Sequence, residues 1–150
     1  YTLKDPVNAR DYLKQDMDIV VRMGDEGART GLLNKLAMCD WMEAENSKDK
    51  AQTEKLKESA FDLANESYQN AMYLEREIDA VFAALNIFSY GGNSEDHNKI
   101  INAVGKEIDT KKLWNEITSP YIKSEMLKAL EKLAAAEGRV WVKTLKKKLV

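Results

Sequence analysis

The stretch DKAQTEKLKESAFDLANESYQNAMYLEREIDAVFAALN, residues 49–86, decides the fold. Ala60, Ala64, Ser67, Ala71, Leu74, Ile78, Phe82 and Leu85 advance through it by threes and fours. That spacing lines one face of a helix with 3.6 residues per turn. Leu56, Leu63, Tyr68 and Val81 widen the apolar face, and Lys57, Glu58, Asp62, Glu66, Gln69 and Arg76 occupy the opposite one. No glycine or proline interrupts the pattern. The expectation is one long central helix over about 49–86, running on to 87, roughly 55 Å in length at about 1.5 Å per residue. Its buried stripe is small near Ala60–Ala71 and bulky near Leu74–Leu85, so neighbours should approach closely at one end and stand apart at the other.

On the N-terminal side, Asp5-Pro6 reads as a helix start: the carboxylate caps free N–H groups, and proline at the first helical position lacks the donor that would go unpaired there. Ala9, Leu13, Met17 and Val20 then recur at helical spacing, and Gly24 ends this first helix. GDEGARTG, residues 24–31, has three glycines but no Lys-Ser/Thr and no preceding strand, so it is no phosphate-cradling loop. It reads as a helix–helix corner with Asp25 or Thr30 capping the next helix. That helix carries Leu33, Ala37 and Trp41 on one line, with Leu36 beside them, and Met38 and Met42 on a second. Cys39 falls one step off the first line and reads as a small apolar residue packed near the core.

On the C-terminal side, Gly91-Gly92 breaks the chain and Ser94 caps a short helix whose buried side is Ile100, Ile101, Val104 and Ile108. Asp109 or Thr110 caps another short piece bearing Leu113, Trp114 and Ile117. Ser119-Pro120 repeats the cap-then-proline start of a long final helix, which Gly138 either ends or interrupts. The chain therefore reads as all-α: a single-domain bundle of five to six helices spanning 1–150, at about 6–23, 31–45, 49–87, 95–107, 110–118 and 120–147.

Composition narrows the chemistry. A chain of 150 residues buries enough surface to fold without disulfides or metals, and one cysteine forms no internal disulfide. The lone cysteine fits a reducing compartment, so cytoplasm is the favoured location, and no apolar run is long enough to span a membrane. Beginning at Tyr1 rather than Met, the chain reads as trimmed, as a processed product or as a piece of something longer, which leaves a removed targeting segment open. A di-iron carboxylate centre needs Glu-x-x-His on two helices, and here the single histidine, His97, is preceded three residues earlier by Ser94. Cys39 and His97 are too few soft ligands for structural zinc. No cofactor and no catalytic constellation are expected.

The net charge of −2 is uneven: from Ser119 onward the chain carries +5, leaving −7 on the rest. Two functional readings follow. The first is a non-catalytic assembly, adaptor or structural subunit acting through protein–protein contacts or self-association, for which three tryptophans and six methionines supply adaptable surfaces. The second is a nucleic-acid-binding accessory protein in which Arg139, Lys143, Lys146, Lys147 and Lys148 contact phosphates and Trp141 stacks on a base.

Overall fold

The computed structural model describes residues 5–91, 94–108 and 119–134, together with the single positions Asn115, Lys143 and Lys147. Six helices account for nearly all of these, and no strand occurs among the described residues. They are α1 (Pro6–Met23), α2 (Glu26–Asn46), α3 (Lys50–Tyr73), α4 (Glu77–Tyr90), α5 (Glu95–Glu107) and α6 (Pro120–Ala134). The protein is an all-α helical bundle. Its contacts divide the chain into two compact units, Tyr1–Asn86 and Ile87–Val150.

Local chemistry sets the ends of the helices in the first unit. Asp5 accepts a hydrogen bond from the Asn8 N–H at 3.1 Å and opens α1. Gly24, at φ 70°, closes it. Here the Gly24 N–H donates to the Val21 carbonyl and the Asp25 N–H to the Val20 carbonyl, a Schellman closure in which glycine bears the left-handed turn. Asp25 rather than Thr30 caps the second helix, accepting from the Ala28 N–H at 3.0 Å. The helix consequently starts at Glu26, five residues before the expected position, and carries Gly27 and Gly31 inside it. Each interior glycine costs a helix about 1 kcal/mol relative to alanine, which packing offsets here. At Gly27 the close approach is visible, because a Cβ there would meet Arg76 Nη1 at 2.7 Å.

The single rod expected over 49–87 is in fact two helices. At its middle the Glu75 N–H donates to the Met72 carbonyl and the Arg76 N–H to the Ala71 carbonyl. This is the same closure as at Gly24, but Glu75 carries the positive φ of 56°. α4 restarts at once, with the Ala80 N–H on the Arg76 carbonyl and the Arg76 guanidinium on Asp79. The apolar stripe changes phase across the turn. Ala60, Ala64, Ser67 and Ala71 are buried as the spacing requires. Beyond it, Ala80, Val81, Ala83 and Ala84 turn inward while Ile78, expected in the core, is 53 % exposed.

The core of the first unit lies between α2 and α3. Leu33, Leu36, Ala37 and Cys39 of α2 face Ala60, Phe61, Ala64 and Tyr68 of α3. Small side chains on α3 let the two axes come close, and a polar rung sets their register. Ser67 Oγ donates to the Thr30 carbonyl at 2.9 Å, and Asn70 Nδ2 donates to Thr30 Oγ1 at 2.7 Å. Such bonds contribute about 1 kcal/mol each and give the Ser67 hydroxyl and the Asn70 amide an acceptor. Asn86 Nδ2 donates to Asn34 Oδ1 at 2.8 Å, holding the first part of α4 on α2. Trp41, expected on the buried line, is only half-buried, with the Lys57 ammonium 5.6 Å from its ring centroid.

In the second unit, Ser94 caps α5 through the His97 N–H, and His97, Ile101 and Val104 form its buried side. Ile87, Phe88 and Tyr90 from the end of α4 and Met126 and Ala129 of α6 are also buried. Apart from Asn115, the short helix expected over 110–118 lies outside the described residues. So does the proposed run of the last helix from 135 to 147, apart from Lys143 and Lys147. None of the described helices is long and apolar enough to cross a membrane.

Candidate interaction surface

Among the described helices, α1 is thinly covered. It is 18 residues long and amphipathic, yet no residue in it is fully buried. Ala9, Arg10, Leu13, Met17 and Val20 turn towards α2 and are half-buried. Roughly a third of the way round the helix from that face, Tyr12, Ile19 and Met23 form a second stripe at helical spacing. They are 70 %, 50 % and 75 % exposed. Isolated exposed apolar residues are ordinary; three large ones aligned on one face mark a surface suited to contact.

An ionic clasp adds to the apolar contact of this thinly buried helix. Arg10 reaches from α1 to α2, where its Nη2 lies 2.8 Å from Asp40 Oδ1 and also bonds Glu43. Asp40 is buried, and its other oxygen accepts a hydrogen bond from Ser59 Oγ on α3. Burial would lower the Arg10 pKa, but the two carboxylates outweigh it, so the guanidinium is held above its ordinary value. One cation thus offsets two anions that would otherwise repel each other beneath α1. Nothing in the spacing of α1 singles out Arg10, because its neighbours Ala9 and Leu13 carry the apolar signal.

Between α1 and α2 runs an open groove of about 430 Å³. Asp16, Ile19 and Val20 of α1 form one wall, and Leu32 and Lys35 of α2 the other, with Gly27, Ala28 and Gly31 lining it from α2. Arg76 and Asp79 also line the groove and are paired with each other. A Cβ added at Gly31 would meet nothing within 4 Å, so that side of the groove is open to an approaching surface.

The chemistry-bearing residues singled out in the sequence are placed as follows. Cys39 is fully buried within α2. Burial pushes its thiol above the ordinary value of 9.0, and Asp40 and Glu43 add to the rise while Arg10 opposes it. In the basic C-terminal segment, Lys143 and Lys147 are exposed and helical. Arg139, Trp141, Lys146 and Lys148 lie outside the described residues. Comparison with known protein families, curated proteins and solved structures finds no match.

Proposed function

We propose that this protein is a non-catalytic helical assembly module that works through protein–protein contacts centred on α1. One observation carries the reading: an 18-residue amphipathic helix with no fully buried residue, exposing Tyr12, Ile19 and Met23 beside an open groove. Covering such side chains gains about 25 cal/mol per Å² of apolar surface removed from water. The Arg10 clasp pre-positions the helix, so little ordering entropy is lost when a partner arrives. A buried thiol and no cystine framework fit work in a reducing compartment, the cytoplasm first among them.

A photo-activatable side chain in place of Tyr12 tests this in concentrated solution and in native lysate. Cross-linking to a second copy or to another protein through position 12 supports the reading. A protein that stays monomeric at every concentration and cross-links to nothing refutes it.

The nucleic-acid reading keeps one supporting observation, the exposure of Lys143 and Lys147. Phosphate contacts release counterions, so such binding weakens steeply with salt. Fluorescence titration with single- and double-stranded oligonucleotides at two ionic strengths decides it, and no binding at low salt removes it.

A further inference from the structure

We infer that the surface covering the α1–α2 groove is a second copy of this chain, docked about a two-fold axis. The inference rests on the assembly reading above and adds the identity of the partner and the contacts that select it.

The argument turns on charge. Asp16 on one wall and Lys35 on the other are both exposed, and neither makes an ion pair or a hydrogen bond among the described residues. Arg76 and Asp79, the other charges lining the groove, already neutralise each other. An acidic partner would satisfy Lys35 and be repelled by Asp16; a basic one would do the reverse. The surface that satisfies both carries one acid and one base in the opposite order. A two-fold rotation supplies that arrangement from the groove itself, because in an isologous interface residue i meets residue j and j meets i. Asp16 of each copy then faces Lys35 of the other.

Shape points the same way. The stripe Tyr12, Ile19 and Met23 borders the groove at Ile19 and stays largely exposed among the described residues. A copy seated in the groove brings an identical stripe with it. The two α1 helices then share the apolar burial that each lacks alone, and the open side at Gly31 admits the close approach. The completed arrangement is a four-helix layer of two α1 and two α2 helices, with two equivalent ion pairs flanking an apolar seam.

Charge reversal provides the test, read by sedimentation equilibrium of the full chain. Self-association is expected to weaken by about tenfold in Asp16→Lys and again in Lys35→Asp, since each replaces two attractions with two repulsions. The double variant Asp16→Lys/Lys35→Asp is expected to recover it. Mixing the two single variants is expected to yield heterodimers, detected by energy transfer between amino-terminal labels, because acids on one copy then meet bases on the other. Both positions are exposed, and an unchanged helical circular dichroism spectrum and melting temperature verify that the variants fold. Recovery in the double variant and in the mixture supports the inference. A dimer indifferent to these reversals leaves the assembly reading standing and overturns the two-fold contact through Asp16 and Lys35. A monomer whose position 12 cross-links to a different protein does likewise. A monomer that cross-links to nothing overturns both.

Discussion

Replacing Glu75 with glycine distinguishes a broken helix from a continuous one by the sign of a stability change. Glu75 sits at φ 56°, is exposed, and its side chain makes no hydrogen bond or ion pair among the described residues. Removing that side chain therefore forfeits no hydrogen bond or ion pair among them. A left-handed conformation costs a residue with a Cβ about 1–2 kcal/mol, which glycine escapes. Glycine loses more conformational freedom on folding, at a cost of about 0.5–1 kcal/mol. The balance is a stabilisation of about 0.5–1 kcal/mol, equivalent to a rise of about 1–4 °C in Tm for a chain of this size. Within an unbroken helix over 49–87, the same substitution would destabilise by about 0.5–1 kcal/mol. Lys55→Gly, at an exposed position inside α3, supplies that opposite case and is expected to lower stability by about that amount. Urea denaturation followed by circular dichroism measures both. A Glu75→Gly protein destabilised to the same degree as Lys55→Gly would refute the turn and restore the rod.

Three further outcomes follow from the packing of α1 and α2. Arg10→Met leaves Asp40 and Glu43 facing each other without a cation, and the loss expected in chemical denaturation is about 2–4 kcal/mol, below that of a fully buried pair because the cluster is partly solvated. Unchanged stability would show that the clasp holds nothing. Gly31→Ala adds a methyl that meets nothing within 4 Å and should stabilise the monomer by about 0.5–1 kcal/mol, while weakening self-association because the added methyl narrows the groove. Cys39 should resist thiol reagents until the protein unfolds. Its folded pKa is raised by burial, so the native state keeps its proton while the unfolded state releases one above its ordinary value of 9.0. Stability contributed by the protonated thiol is thus complete below that pH and is lost as pH rises towards the folded value. Cys39→Ala should show a shallower decline in stability between neutral and alkaline pH than the unaltered protein, and equal slopes would refute the assignment.

The apolar arcs and the caps were legible because they are local. Asp5-Pro6, Gly24, Ser94 and Ser119-Pro120 each act on N–H and carbonyl groups within one turn of themselves, and the helices begin or end beside them. The burial of Ala60, Ala64, Ser67 and Ala71 follows from periodicity alone. The start of α2 lies before the expected one because three glycines within eight residues resemble a loop, whereas the Asp25 cap and the buried Thr30, Leu33 and Leu36 keep the segment helical. Of the interaction surface, the individual apolar residues of α1 were readable. Which of them would remain uncovered was not, since that depends on how many neighbours the helix has.

The sequence by itself determined the helical class, most helix ends and the apolar face that α3 presents, because backbone capping and side-chain period are properties of neighbouring residues. Tertiary structure alone decided the turn at Glu75, the Arg10 clasp on Asp40 and Glu43, and the groove beside Ile19. The clasp and the groove join groups distant along the chain, and their energies arise only when helices already formed are brought together, whereas the turn is closed by local bonds and favoured by what the following helix then buries. A left-handed glutamate is unfavourable in isolation and is accepted because the phase change it produces buries Ala80, Val81 and Ala84.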